Sequence, residues 1–413
     1  MTVPSGTDGI TTSNGTAFPD CFFMGSKPGL IDDMISNNEL SLDLNMSWDS
    51  IANGHYVDYS TQPYISHLWG KSYVSSRSII ERKENHNMKL QILVPQYKET
   101  EDVIKPLLDS IALQQGIDFK DVGVIIVNDG YPESKLSRKF LKSYPFKIEY
   151  HMAEHRGVSA TRNACLDYAT ADYILFADSD DMFFSMVGLN IIFAEMDKGF
   201  NSLTTKFYEE LKNSNGEMWF TEHKHDRTFV HGKFHRRQYL IDNDIRFNEN
   251  LTVHEDSYFN MLATTCAHDA DSIKYSDVPI YLWRWRDDSV CRHDPLYLQK
   301  TYKLYIDSIT ALVDQLKERG HEENAQLLMC TQMFDTYYLM NTDNWLKQEN
   351  QEYRMETEKR FKEFYEKYSE WFNSLSSAYR VNISNQVRAN KIRSGMEMEN
   401  MTFNQWIEYI IKL

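Results

Sequence analysis

Three carboxylates follow the apolar stretch 173–177 within four positions, as Asp178, Asp180 and Asp181. The stretch is typical of a buried strand, and like charges at its end are unfavourable unless a cation or a hydrogen-bond network compensates them. Oxygen ligands suit a hard divalent ion such as Mg2+ or Mn2+. A solvated acidic turn is the alternative interpretation, because acid-rich turns are common. The assignment therefore depends on the elements that position these acids.

Those elements alternate between strand and helix. The predicted strands cover residues 89–94, 122–127, 146–152 and 173–177, and the predicted helices cover residues 103–112, 134–144 and 159–169. This alternation predicts right-handed crossovers and a parallel sheet, in which ligands bind beyond the carboxyl ends of the strands. Pro95, Tyr97, Asp129 and Asp178 all lie at those ends. The sequence therefore directs its polar side chains to one rim of the sheet.

The absence of a glycine-rich motif after the first predicted strand narrows the class of ligand. No GxGxxG follows this strand, which argues against a dinucleotide site. A nucleotide held by carboxylates and a metal is the better interpretation. An acid after the second strand can accept hydrogen bonds from a base or a ribose, and acids after the fourth strand can hold a metal that bridges a diphosphate.

Seven motifs between residues 89 and 292 resemble those of family 2 glycosyltransferases with the GT-A fold, in the expected order. They are Ile92-Leu-Val-Pro95-Gln-Tyr97, Ile126-Val-Asn128-Asp129-Gly130, His155-Arg-Gly157-Val-Ser-Ala-Thr-Arg162-Asn163, Asp178-Ser-Asp180-Asp181, His231-Gly-Lys233-Phe-His-Arg236-Arg237, Asn248-Glu249 with His254-Glu255-Asp256, and Trp283-Arg284-Trp-Arg286-Asp-Asp-Ser289. Each motif alone is weak, whereas the ordered set is specific. Lys98 and Asn128 depart from the family pattern, which leaves the nucleotide preference open.

The resemblance implies an inverting transfer from a nucleotide-diphosphate sugar, with UDP expected, to an acceptor hydroxyl on a glycan or cell-surface polymer. It implies that Asp256 deprotonates this hydroxyl and that Mn2+ or Mg2+ binds Asp178 and Asp180. The implied donor-binding residues are Pro95, Tyr97, Asp129, Arg162, Asp178, Ser179, Arg284 and Arg286, and the supporting residues are Asp181 and Glu255. A base and a stabilised leaving group are what single displacement at an anomeric carbon requires.

Length and composition limit the class of protein and its division into domains. The 413 residues carry a formal net charge of −16, which argues weakly against a broad nucleic-acid surface. Five widely spaced cysteines without a CxxC pair, no secretory signal pattern and no apolar run of about 18 residues predict a cytoplasmic protein with no membrane span. We expect an N-terminal extension (1–87, partly loop), a GT-A domain (88–294) and a helical C-terminal region (295–413) that could form homo-oligomers.

Other interpretations remain open at this stage. A nucleotidyltransferase shares the α/β sheet, the carboxylates and the metal, but it needs no acceptor base such as Asp256. A non-catalytic glycan-binding or assembly protein on the same fold would have no need of the acids. A modified nucleic acid is a further acceptor class. His223, His225, His231 and His235 alternate across predicted strands, which favours a polar strand face over a zinc site.

Overall fold

The computed structural model describes residues 88–413 except 214, 288, 290–293, 295, 348–349 and 394–400. The predicted N-terminal extension, residues 1–87, lies outside the described residues. Within them, a nine-stranded sheet carries helices on its faces and is followed by a helical C-terminal region. This arrangement confirms the predicted fold class. No helix in the described ranges is both long enough and apolar enough to span a bilayer.

The bounds of the elements follow. The strands are β1 (Leu90–Gln96), β2 (Val122–Asn128), β3 (Lys147–Met152), β4 (Tyr173–Phe176), β5 (Met182–Phe183), β6 (Ser202–Lys212), β7 (Met218–His223), β8 (Lys233–Arg236) and β9 (Ile273–Trp283). The helices are α1 (Glu101–Ala112), α2 (Arg138–Leu141), α3 (Val158–Tyr168), α4 (Gly188–Lys198), α5 (Arg237–Asp242), α6 (Glu255–Asp269), α7 (Tyr297–Glu318), α8 (Glu322–Met340), α9 (Asp343–Leu346), α10 (Gln351–Ser374), α11 (Ser377–Arg393) and α12 (Phe403–Lys412).

The sheet is mixed rather than wholly parallel. Strands β3, β2, β1 and β4 pair side by side in parallel, as the alternating pattern predicted. Beyond β4 the order continues β8, β6, β9 and β5, with β7 pairing only to β6. In this half β8 is antiparallel to both of its neighbours, whereas β6 and β9 run parallel. The parallel half therefore presents the carboxyl ends of its strands at one edge of the sheet. The second half continues the same sheet beyond β4.

Alternation of side chains sorts the buried strand residues between the two faces of the sheet. On one face, Ile92 and Val94 belong to the apolar cluster that packs against α1 and α4. On the other face, Leu93 belongs to a larger cluster that includes residues of α3, α6 and the C-terminal helices. Because Trp345 and Trp406 of the helical region are almost wholly buried in that cluster, the helices and this face of the sheet share one core.

Two local predictions differ from the structure. The strand β1 runs through Pro95 to Gln96, because Pro95 pairs with Val127 in a position where the sheet does not require its missing N–H. The helix predicted over residues 134–144 shortens to the single turn α2, which Ser137 caps by accepting a hydrogen bond from the Phe140 N–H.

Candidate active site

Asp129 follows β2 and binds the loop that leads into α3. One carboxylate oxygen accepts the Arg156 N–H at 2.8 Å, and the other accepts the Gly157 N–H at 3.0 Å and contacts His155 Nδ1 at 2.8 Å. Gly130 allows this close approach, because a Cβ there would lie 2.5 Å from the backbone nitrogen of His155 and its φ is +69°. Asp129 therefore holds the loop shape as well as lining the cleft beside it.

That cleft opens at the predicted rim and has a volume of about 300 Å³. Among the residues lining it are Pro95, Tyr97, Asp129, Gly157, Asp178 and Asp180. The Tyr97 ring stacks on the His155 ring with centroids 4.6 Å apart and an interplanar angle of 13°. The Lys98 ammonium lies 5.0 Å from the centre of the Tyr97 ring. The cleft thus combines a flat aromatic wall with carboxylates, a combination that suits a nucleotide.

Arg162 of α3 connects two sets of acids behind the cleft. Its guanidinium donates to Asp178 Oδ1 at 2.9 Å and to Glu255 Oε1 at 2.7 Å, and only 5% of the residue is exposed. Burial opposes the charged form of this guanidinium, but the carboxylates of Asp178, Glu255 and Asp256 raise the pKa of Arg162. Burial likewise opposes the charged form of Asp178, yet Arg162 holds the pKa of that carboxyl below its ordinary value. A buried, permanent cation thus joins the strand-end acids to the start of α6.

The other two acids after β4 have different partners. Asp180 accepts a hydrogen bond from Arg286 Nη1 at 3.0 Å, and burial followed by the Asp178 charge raises the pKa of Asp180. Asp181 is almost fully buried and accepts the Tyr281 hydroxyl at 2.8 Å and the Arg284 N–H at 2.9 Å. Burial also raises the pKa of Asp181 well above its ordinary value. The two hydrogen bonds of Asp181 link the acid segment (residues 178–181) to β9 and to the residues that follow β9.

One group of potential metal ligands occurs among the described residues. Ligand atoms of Asp178, Asp181 and His231 all lie within 4.8 Å of one another. The buried His231 Nδ1 lies 3.8 Å from Asp181 Oδ2 and has no hydrogen-bond partner in the described part of the chain. Two carboxylates and an imidazole suit a divalent ion. Asp180 is outside this group, so the structure adds His231 and Asp181 to the candidates that the sequence offered.

Asp256 lies in the first turn of α6, next to Glu255. Its side chain is partly accessible, and Oδ1 accepts the Ser257 N–H at 2.7 Å. Enclosure of the carboxylate by protein atoms, and then the Glu255 charge, raise the pKa of Asp256 to about 7. A carboxylate with this pKa can both take up and release a proton near neutral pH, which is what a general base needs.

Five of the predicted donor-binding residues line one cleft, namely Pro95, Tyr97, Asp129, Asp178 and Ser179. The other three lie outside this lining: Arg162 and Arg286 contact the carboxylates of Asp178 and Asp180, and Arg284 contacts the Asp180 carbonyl oxygen. Arg162 also bonds Glu255, the neighbour of Asp256. The sequence interpretation did not assign roles to His155 or Tyr281, and it placed His231 on a polar strand face rather than in a metal site. His155 was within a recognised motif, so its position after the third strand could have marked it. Tyr281 donates to Asp181 from β9, and no local pattern reveals a contact between residues so far apart in the chain. The four alternating histidines do not meet: His223 contacts Glu209, and His235 contacts Ser202.

The sheet order and the acids at the strand ends are those of a GT-A type α/β fold. In agreement, a crystal structure of residues 1–349 of TarS from Staphylococcus aureus aligns with a TM-score of 0.51 and 20% identity, covering 74% of this chain and 89% of that one. A crystal structure of the same protein in complex with UDP-GlcNAc aligns with a TM-score of 0.50. At this identity the likeness shows the fold alone.

Within that fold, residues 91–258 match the model of glycosyl transferase family 2. This match confirms the resemblance over the part of the chain that holds the first six motifs.

Named relatives each match part of the chain. The minor teichoic acid biosynthesis protein GgaB of Bacillus subtilis is 28% identical over 197 residues, which is 42% of this chain and 21% of GgaB. The poly(ribitol-phosphate) beta-N-acetylglucosaminyltransferase TarS of Staphylococcus aureus is 28% identical over 191 residues, covering 43% of this chain and 32% of TarS. An uncharacterized glycosyltransferase of Escherichia coli, YibD, is 23% identical over 256 residues and is covered to 72%. The chain thus spans less than a third of GgaB and only about a third of TarS.

Proposed function

We propose that this chain is an inverting glycosyltransferase that moves a sugar from a UDP-sugar to a hydroxyl of a glycan or cell-surface polymer, with a divalent ion bound. The observation that carries the proposal is the bridge made by Arg162. It joins Asp178, which lines the cleft, to Glu255, whose neighbour Asp256 has a pKa suited to a base. Donor-binding and acceptor-activating groups are thereby fixed relative to each other.

In this proposal the aromatic wall binds the nucleotide. The stacked rings of Tyr97 and His155 offer a flat surface for a base, and the Asp129 carboxylate has oxygen lone pairs beyond those used by the loop. Arg284 and Arg286 lie next to the acid segment, where guanidinium forks suit phosphate oxygens. Ser179, which lines the cleft between Asp178 and Asp180, completes the donor contacts.

Asp178 and Asp180 remain the proposed metal ligands, because both line the cleft that a diphosphate would enter. Asp181 and His231 lie deeper, and we assign Asp181 to positioning through Tyr281 and the Arg284 N–H. A bound divalent ion stabilises the charge of a departing diphosphate without a proton transfer. Glu255 is a supporting residue, since its carboxylate is occupied by Arg162.

Asp256 acts in this scheme as the base. Its ionised carboxylate takes the proton of the acceptor hydroxyl while that oxygen forms the bond to the anomeric carbon and the bond to the diphosphate breaks on the opposite side. One displacement inverts the anomeric configuration. The family match favours this reaction over the nucleotidyl transfer considered from the sequence.

The names of the relatives support the choice of substrates. TarS is named for N-acetylglucosamine transfer to poly(ribitol phosphate) and was crystallised with UDP-GlcNAc, and a related Bacillus spizizenii protein is named a poly(ribitol-phosphate) beta-glucosyltransferase. We therefore propose a UDP-hexose or UDP-N-acetylhexosamine donor and a polyol-phosphate or glycan polymer as acceptor. We also retain the division at residues 88 and 295, and self-association through the C-terminal helices, as proposals.

Calorimetric titration with UDP, GDP and CDP, each in Mn2+ and in chelator, tests the donor site. We expect UDP to bind with Mn2+ and to lose most of its affinity in chelator, because the diphosphate would then face uncompensated carboxylates. GDP and CDP are expected to bind more weakly. The Asp180→Asn variant is expected to weaken the metal-dependent part of UDP binding.

Two outcomes would contradict this scheme in different ways. Equal UDP affinity with and without metal, in the wild type and in Asp180→Asn, would remove the metal from the proposal. Absence of binding by all three nucleotides would favour the non-catalytic interpretation. With binding established, release of UDP from a panel of UDP-sugars, with a polyol-phosphate polymer as acceptor, identifies the transferred sugar.

A further inference from the structure

The residue before Glu255 and Asp256 has an unusual backbone conformation. His254 has φ 62° and ψ 18°, in the left-handed region that a residue with a Cβ adopts only at a cost. It is the N-cap position of α6, and its side chain does not cap the helix. Its conformation sets the direction in which the chain enters Glu255 and Asp256.

The contacts that hold His254 come from the helical C-terminal region. Ser308 of α7 donates its hydroxyl to the His254 carbonyl oxygen at 3.0 Å, and the Ser308 side chain is fully buried. The Tyr305 ring, about one turn earlier on α7, meets the His254 ring edge-on at 5.2 Å with an interplanar angle of 73°. The same carbonyl oxygen accepts the Tyr258 N–H at 3.2 Å, which is the first helical bond of α6.

We propose that Ser308 is a positioning residue for the catalytic base, so that helix α7 forms part of the machinery that activates the acceptor. This inference rests on the proposed function of Asp256. Two fixed points immediately precede the base along the chain: Ser308 holds the His254 carbonyl oxygen, and Arg162 holds the Glu255 carboxylate.

The physical reason is the strain at His254. Without the Ser308 hydroxyl, one of two hydrogen bonds to the His254 carbonyl is lost, and the left-handed backbone can relax toward a more common region. Asp256, two residues further on, would then move relative to the donor. A displacement of about 1 Å at a reacting group is enough to lower the rate about 100-fold. The cleft residues after β1, β2 and β4 would keep their places.

The test compares Ser308→Ala with Thr310→Val. Thr310 is also on α7, but its hydroxyl bonds within the helix, to the carbonyl oxygen of Ile306. We expect Ser308→Ala to lower kcat about 10- to 100-fold with an unchanged KM for the UDP-sugar. Thr310→Val is expected to leave both constants unchanged. Ser308→Thr keeps the hydroxyl and is expected to restore turnover.

A second measurement does not depend on activity. Amide hydrogen–deuterium exchange over residues 252–260 is expected to accelerate in Ser308→Ala and to stay unchanged in Thr310→Val, because the first turn of α6 loses its external support. Wild-type kcat and exchange in Ser308→Ala would overturn the inference. A general loss of UDP affinity and thermal stability in Ser308→Ala would also overturn it, since the role would then be structural.

Failure of the proposed function would give a different experimental result. In that case the wild-type chain itself transfers no sugar from any UDP-sugar, whatever residue occupies position 308. The exchange measurement then still decides whether Ser308 fixes the start of α6.

Discussion

Replacement of Asp256 by asparagine is expected to abolish sugar transfer while UDP binding remains intact. An amide cannot take the acceptor proton, and a positioned base contributes on the order of 10² to 10⁴ in rate. The binding contacts lie elsewhere, because Asp256 is not among the residues that line the cleft. Initial rates of UDP release with acceptor, together with calorimetric UDP affinity, give the two required values.

A second substitution of aspartate by asparagine, at a site away from the cleft, controls for the loss of a carboxylate. Asp242, the last residue of α5, is exposed and accepts a hydrogen bond from Gln238, so Asp242→Asn is expected to retain wild-type rates. Wild-type turnover in Asp256→Asn would remove Asp256 from the mechanism.

The pH dependence of the wild-type rate belongs to the same prediction. Only the ionised carboxylate acts as a base, and the pKa of Asp256 is raised to about 7. We therefore expect kcat to increase with pH up to about 7 and to level off above it. The pKa is raised by enclosure of the carboxylate among protein atoms and then by the Glu255 charge, so Glu255→Gln should shift this rise to lower pH. A rate that stays constant between pH 5 and pH 8 would argue against a carboxyl base with this pKa.

The second large effect concerns stability. Arg162→Met is expected to lower the free energy of unfolding by about 3–5 kcal/mol, because it leaves Asp178 and Glu255 without their shared buried cation. UDP binding should weaken as well, since Asp178 lines the cleft. Urea denaturation followed by tryptophan fluorescence measures the first effect.

The loop just before α3 offers a control variant with the same replacement of arginine by methionine. Arg156 pairs with Glu249, but both side chains are exposed, to 63% and 38%. Exposed ion pairs contribute about 0–1 kcal/mol, so Arg156→Met should unfold almost as the wild type does. Equal losses in the two variants would show that the Arg162 bridge is no more important to stability than a surface pair.

Local sequence patterns were sufficient for the parallel half of the fold. The β-branched residues of β2 and the helical spacing in α1 are properties of short segments, and both elements form as predicted. The antiparallel half was not resolved from sequence, because β5 has only two residues and pairs with β9 about 100 residues later. Pairings of that kind are decided by the register of the whole sheet.

The same distinction applies to the site. The acids at residues 178–181 were recognisable because strand and acid are adjacent in sequence. Their partners were not, since the Arg286 contact with Asp180 and the Tyr281 contact with Asp181 depend on where β9 is placed. The left-handed backbone of His254 was equally hidden, because even histidine adopts that conformation too rarely for the residue type to predict it.

The core that the sheet shares with the C-terminal helices has a consequence for how the chain folds during synthesis. The cluster contains Leu93 from β1 and Ile410 from α12. Helices α3 and α6 cover part of this cluster early, but the apolar surface of α6 that meets α7 stays exposed until the ribosome has made the C-terminal helices. Contacts of such long sequence separation form slowly and leave apolar surface exposed in the meantime. Nascent chains are thus expected to bind chaperones until α7 and the helices described after it have emerged.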